Sequence, residues 1–156
     1  EASVVGRSLR PAEQVAVRLS MPELERFQRA VREIFVDREV VAYAVQLVDG
    51  TRHPERYGLG NLSNLIQYGA SPRGAIGMVQ AGQALALLRG RRHVLVDDVR
   101  DLAADVLRHR LVLSYDALSD NVSADDILDR LLAAMSTGAG TGQSGVPADP
   151  SEYDVA

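Results

Sequence analysis

The arginine in the segment Gly69-Ala70-Ser71-Pro72-Arg73 is the side chain whose type and position best suit chemistry. Ser71 is a favoured N-cap residue and Pro72 suits the first helical position, so the sequence predicts a helix that begins here. Arg73 then lies in the first turn, beside unpaired backbone N–H groups and the positive end of the helix dipole. A cation becomes favourable there when an anion such as a phosphate shares the site. On position alone, an exposed arginine pointing away from the helix end is the more common arrangement.

The absence of lysine excludes one large class of nucleotide sites. All 17 basic residues are arginine, whereas the phosphate loop G-x-x-x-x-G-K-[ST] needs a lysine to reach the terminal phosphates. The segment V-L-V-D-D at Val94–Asp98 resembles a Walker B strand, whose acidic residues hold magnesium. Without that lysine, a short strand followed by Asp97 as a helix N-cap explains the pattern better. The glycines at Gly58 and Gly60 begin a dinucleotide fingerprint but lack its third glycine, which indicates a loop.

Histidine, serine and arginine positions predict no further catalytic centre. The chain has no cysteine, which excludes disulfides and thiolate metal sites. No histidine lies near Ser71 to activate it as a nucleophile, and its capping role explains it. The three histidines have no metal-ligand spacing: His53, His93 and His109. A small basic cluster follows a predicted helix C-terminus, where cations are favoured, and we prefer this interpretation to a phosphate grip: Arg89, Arg91 and Arg92.

Composition, charge and the length of the apolar runs exclude further classes of function. The chain has 156 residues, a formal net charge of -4 and a sequence pI of about 5.3. This acidic balance argues against a dedicated nucleic-acid binder. No apolar run approaches the roughly 20 residues that span a bilayer, and no signal peptide is visible. We therefore predict a soluble cytoplasmic protein that neither binds nucleic acid nor inserts into a membrane.

Apolar periodicity predicts a mainly α fold, a bundle of four or five helices with a minor β-hairpin. The helices are expected at about 21–33, 38–50, 72–89, 97–109 and 124–135. Residues 51–70 are expected to form a loop with a helical turn around Leu62–Tyr68. Two short extended pieces, Val94–Val96 and Leu111–Leu113, would pair as the hairpin. We interpret residues 1–19 as a linker, 20–135 as the folded domain and 136–156 as a disordered tail.

The order of several motifs resembles the C-terminal helical lid domain of MoxR-family AAA+ ATPases. The resemblance covers about residues 20–135, and G-A-S-P-R followed by V-L-R-H-R-L is its most specific part. In chain order the motifs are Y-x-V-x-L-V-x-x-T-R at Tyr43–Arg52, G-A-S-P-R at Gly69–Arg73, A-L-A-L-L-R-G-R at Ala84–Arg91, V-x-x-D-D-V at Val94–Val99, V-L-R-H-R-L at Val106–Leu111 and V-S-A-D at Val122–Asp125.

The resemblance implies a role for Arg73. It matches the sensor 2 arginine, which reaches from the lid to the terminal phosphate of ATP, with Ser71 and Pro72 forming the supporting helix N-terminus. This agrees with the electrostatic interpretation above and makes phosphate contact the favoured one. Walker A, Walker B, sensor 1 and the arginine finger would belong to a preceding AAA+ core domain, and the start at Glu1 without methionine fits a piece of a longer chain. Alone, the chain is expected neither to hydrolyse ATP nor to bind it tightly.

The resemblance also implies partners. The parent protein would be an ATP hydrolase that uses ATP and Mg²⁺ and assembles into a homo-oligomeric ring, taken here as a hexamer. Its role would be chaperone-like, in the maturation of proteins with a von Willebrand A domain. The main alternative is a non-enzymatic helical adaptor that binds a partner in its apolar grooves. A helix-turn-helix DNA binder using the helix from Asp97 to His109 is disfavoured by the acidic charge.

Overall fold

The computed structural model describes residues 18–137, with side chains up to residue 135, and the chain divides into two units. The unit Glu1–Glu33 contains one described helix, α1 (Met21–Arg32), and the unit Ile34–Ala156 contains every other described element. Most of the predicted linker at 1–19 and of the predicted tail at 136–156 lies outside the described residues. No helix within 18–137 has the length and apolar character needed to cross a bilayer.

Helix α1 begins after Ser20, its N-cap residue. Both the backbone N–H and the hydroxyl of Ser20 donate to the Glu23 carboxylate, at 2.8 and 2.6 Å. These hydrogen bonds lower the pKa of Glu23. The apolar side chains of Leu24 and Phe27 remain exposed, and no residue of α1 is buried.

The second unit is a helical bundle with one small sheet, which confirms the predicted fold class. In chain order its elements are α2 (Arg38–Arg52), β1 (Ile66–Tyr68), α3 (Pro72–Leu88), α4 (Val96–Leu107), β2 (Val112–Leu113), α5 (Tyr115–Ser119) and α6 (Ala124–Thr137). Short 3₁₀ turns lie at Pro54–Tyr57, Gly60–Leu62 and Arg108–Arg110. The short helix α5 was not predicted, because a five-residue helix is too short to give an apolar period.

Side-chain hydrogen bonds cap the starts of two further helices. The Asp37 carboxylate accepts the Glu39 N–H at 2.9 Å and begins α2. At α6, the Ser123 N–H donates to Asp126 at 2.8 Å, and the Asp126 N–H donates to the Ser123 hydroxyl at 3.2 Å. This reciprocal pair is a capping box.

Side chains from four helices share one core in the second unit. Its largest fully buried apolar members are Leu47 and Val48 of α2, Met78 of α3, Val99 and Leu107 of α4, and Ile127, Leu128 and Leu131 of α6, with Leu62 from a 3₁₀ turn. The missing side chain of Gly74 permits this packing, because a Cβ there would lie 2.9 Å from Leu107 Cδ2 and 3.2 Å from Val48 Cγ2. Gly74 therefore allows α3 to pack closely against α2 and α4.

The pairing predicted for the β-hairpin is wrong. Strand β2 pairs antiparallel with β1, which lies in the segment expected to form a helical turn. Val94 instead donates its N–H to the carbonyl of Phe35 at 3.0 Å, and Leu95-Val96 begins α4. Short apolar triplets carry too little pattern to identify their partners, and these partners were chosen by tertiary packing.

Candidate functional site

Arg73 lies in the first turn of α3, as predicted. Ser71 occupies the N-cap with an extended backbone (φ −77°, ψ 168°), and Pro72 is the first helical residue. The Ser71 hydroxyl accepts no hydrogen bond from the helix, so Ser71 begins α3 through its backbone alone. Its carbonyl accepts the Gly74 N–H at 2.8 Å. The first turn thus keeps donor capacity that a capping side chain would otherwise use.

The guanidinium of Arg73 is exposed and forms no ion pair or hydrogen bond within residues 18–137. Two other arginines of the unit, by contrast, form ion pairs with acidic side chains. Arg89 contacts Asp98 and Asp101 at 2.8 and 2.7 Å, and Arg108 contacts Asp125 at 2.7 Å. Arg73 is therefore available to an external anion.

The start of α3 also lacks acidic compensation. Among the α-helices of the described chain, it alone has no acidic residue in its first turn. The acidic residues at the other starts are Glu23, Glu39, Asp97, Asp98, Asp116, Asp125 and Asp126. Because acidic groups there offset the positive end of the dipole, the start of α3 keeps that charge and adds a cation to it.

Thr51 holds the segment that leads into α3, a contact that the sequence analysis missed. The Ala70 N–H donates to the Thr51 hydroxyl at 2.9 Å, and both residues are fully buried. Thr51 lies on the last turn of α2, far from Ala70 in sequence. A threonine near a helix end gives no local signal for such a contact, although it belongs to the T-R pair of the first motif.

Asp98 is the centre of a buried ion cluster, and Asp97 is not the N-cap of α4. Leu95 occupies the N-cap, and its N–H donates to the Asp98 carboxylate at 2.8 Å. Arg91 donates to the same carboxylate at 2.7 Å through Nη1, and Arg89 donates at 2.8 Å. The bonds from Arg91, helped by that from Leu95, lower the pKa of Asp98 to about 2, against the opposing effect of burial.

This cluster accounts for two sequence motifs. Asp97 and Asp98 follow Val94–Val96 as acidic residues follow a Walker B strand. The Asp98 carboxylate, however, accepts hydrogen bonds from Arg89, from Arg91 and from the Leu95 N–H at the start of α4. Arg89 and Arg91 follow the helix C-terminus as predicted, and they bind Asp98. Arg92, the third member of the predicted basic cluster, donates no bond to this carboxylate.

The histidines and acidic side chains of the described residues form no metal site. Within residues 18–137, no group of three His, Asp or Glu side chains could hold a metal ion. His53 Nδ1 lies 3.5 Å from Glu55 Oε1.

Asp49 accepts hydrogen bonds from Arg56 and from the Tyr57 hydroxyl, each at 3.3 Å. Burial, together with the charge of Asp49, raises the pKa of Tyr57 to about 12.

Comparison with protein families gives a match at residues 61–131, to the AAA lid domain. The chain is 42% identical over 117 residues to Chaperone MoxR1 of Mycobacterium tuberculosis, covering 75% of this chain and 31% of that protein. It is 35% identical over 109 residues to the uncharacterized protein YeaC of Bacillus subtilis, covering 69% of this chain and 31% of that protein. The match to protein MoxR of Paracoccus denitrificans is 41% identical over 76 residues, 46% of this chain and 22% of that protein.

A solved structure shares the fold. The crystal structure of a candidate ATPase from Cytophaga hutchinsonii superposes with a TM-score of 0.71 and 30% identity, covering 72% of this chain and 34% of that one. The chain thus spans about a third of the length of MoxR1 and of YeaC, 31% of each, and a smaller share, 22%, of protein MoxR.

Proposed function

Because this chain belongs to the MoxR family of AAA+ ATPases and carries the helical lid domain, we propose that Arg73 is the sensor 2 arginine of the lid. In this role its guanidinium contacts the terminal phosphate of ATP. The nucleotide and its Mg²⁺ are held mainly by an AAA+ core domain, and the lid closes over them. The observation that carries the proposal is an unpaired arginine on the one described α-helix start without acidic compensation.

Electrostatics supports this assignment. A guanidinium donates two parallel hydrogen bonds to phosphate oxygens, and charge-assisted bonds of this kind are about twice as strong as neutral ones. The first turn of a helix adds backbone N–H groups and the positive dipole end. A γ-phosphate would therefore neutralise a repulsion that the free lid carries. Nucleotide binding and lid closure would then favour one another.

The wider role follows from the family. We propose that lid movement between nucleotide states is passed to neighbouring subunits of a homo-oligomeric ring, in line with a hexamer. The relative named Chaperone MoxR1 supports a chaperone-like activity. The clients we propose are proteins with a von Willebrand A domain, which the ATPase would help to mature. A cytoplasmic location agrees with this role.

The test is ATP turnover by the protein that contains this lid and its AAA+ core. Arg73→Ala should lower kcat by about 100-fold, the size expected when one preorganised donor to the transition state is lost. Arg38→Ala is the matched control, because Arg38 is also an exposed arginine in a first turn, that of α2. There, however, Asp37 caps the helix and Glu39 follows. The control should stay within about twofold of wild type.

Two results would contradict the proposal. Unchanged turnover in Arg73→Ala would remove the sensor role and favour the helical adaptor instead. An equal loss in Arg38→Ala would show that net charge, and not position, is responsible. The same gene should encode G-x-x-x-x-G-K-[ST] in the core, since this chain has no lysine to supply.

A further inference from the structure

We propose that Thr51 is the positioning residue of Arg73. Its buried hydroxyl fixes the segment Gly69–Ser71, and through it the place from which the arginine reaches. This inference rests on the proposed sensor role of Arg73. It adds a residue that lies on a different helix and would not itself contact the nucleotide.

The direction of the Thr51 hydroxyl is set by its own helix. Its Oγ1 donates to the Val48 carbonyl at 2.6 Å, which uses its single proton. The lone pairs are then free to accept, and the Ala70 N–H donates to them at 2.9 Å. Thr51 and Ala70 are both 0% exposed, so water cannot replace either partner. A buried N–H that lost this acceptor would have to move towards another.

A second contact presses the same segment against the end of α2. A Cβ on Gly69 would overlap the backbone carbonyl of Thr51 and lie 2.7 Å from the Arg52 Cγ. Glycine is therefore required for the backbone of the segment to approach this closely. The hydroxyl and the carbonyl of Thr51 thus meet two consecutive residues of the G-A-S-P-R motif.

The chain between Ala70 and Arg73 is short and stiff. Pro72 fixes its own backbone φ, and Gly74 is packed against Leu107 and Val48. The Ser71 hydroxyl makes no capping bond, so it does not anchor the helix start. Any shift of Ala70 is therefore carried into the first turn of α3. A misplacement of about 1 Å at a reacting group can cost as much as 100-fold in rate.

The experiment measures kcat and KM for ATP in the protein that carries lid and core. Thr51→Val keeps the shape and removes the acceptor, and kcat/KM should fall about tenfold. Thr51→Ser keeps the hydroxyl and should stay within about threefold of wild type. All assays are run below the thermal midpoint of every variant.

The decisive variant combines Thr51→Val with Arg73→Ala. If Thr51 acts through the arginine, the double variant should be no slower than Arg73→Ala alone, within about twofold. Multiplication of the two single losses would overturn the positioning role, since a general structural defect adds independently. Wild-type turnover in Thr51→Val beside an impaired Arg73→Ala would also overturn it, while leaving the sensor role intact.

Two further outcomes complete the test. If Thr51→Val does not fold, Gly69→Ala displaces the same segment and should show the same dependence on Arg73. Full turnover in folded Gly69→Ala would then overturn the inference. Full turnover in Arg73→Ala would refute the proposed function, and the role of Thr51 would fall with it.

Discussion

Replacement of Asp98 by asparagine should lower the free energy of unfolding of this chain by about 2 kcal/mol at pH 7. A carboxyl pKa lowered from 3.8 to about 2 corresponds to that amount, at 1.36 kcal/mol per pKa unit. Breaking a wholly buried ion pair costs about 3–5 kcal/mol. Here the side chains of Arg89 and Arg91 are 43% and 23% exposed. Water can rehydrate them, so the smaller value applies.

The pH dependence gives the sharper test. The lowered pKa means that the folded state favours the charged carboxylate, so the stabilisation is present above the unfolded pKa. It is lost as the pH falls from about 4 to about 2. Urea unfolding of this chain, followed by far-UV circular dichroism, should show a difference between wild type and Asp98→Asn that is constant above pH 5. The difference should shrink steadily below pH 4.

Asp97→Asn is the control, because the neighbouring carboxylate is exposed and makes no hydrogen bond or ion pair in the described part of the chain. It should change stability by less than about 0.5 kcal/mol. Equal losses in the two variants would refute the assignment of the cluster to Asp98. A difference that persists undiminished at pH 2 would refute the electrostatic origin.

Four further substitutions should change the free energy of unfolding by different amounts in the same urea assay, because their surroundings in the fold differ. Tyr43→Phe should be neutral or stabilising by up to about 1 kcal/mol, because the Tyr43 hydroxyl is buried without a hydrogen-bond partner. Tyr57→Phe should lower the free energy of unfolding by about 0.5–1 kcal/mol, because it removes the hydrogen bond from the Tyr57 hydroxyl to Asp49. A larger loss of stability in Tyr43→Phe than in Tyr57→Phe would contradict both predictions. Gly90→Ala should cost about 1 kcal/mol, since Gly90 has φ +71°. Gly60→Ala, in open space, should be neutral, and equal costs at the two glycines would argue against backbone strain.

The helices could be predicted from sequence because their signals are local. Ser20 with Glu23, and Ser123 with Asp126, are close in sequence and meet within one helical turn. Gly90, just beyond α3, has the left-handed backbone that a residue following a helix often needs. The position of Arg73 in a first turn also followed from its two predecessors.

The partners of the site could not be predicted, because they depend on tertiary packing. Thr51 meets Ala70 only when the end of α2 lies against the start of α3. Asp98 was interpreted as part of a short strand followed by a helix start. Its ion pairs could not be predicted, because they depend on two arginines that the turn between the helices brings close to it. The order of the motifs in the sequence identified Arg73 as the candidate residue. The contact between Thr51 and Ala70, which we propose positions it, could be seen only in the tertiary structure.

The small sheet has a consequence for the order of folding. Strands β1 and β2 lie on either side of α3 and α4 in the chain, so their pairing closes a loop that contains both helices. Loop closure costs conformational entropy, and two strands of three and two residues recover little of it alone. We therefore expect the two helices to associate first and the strands to join late, on a template already formed. Slow steps in refolding should then report on strand pairing, and early steps on the helix pair that carries Arg73.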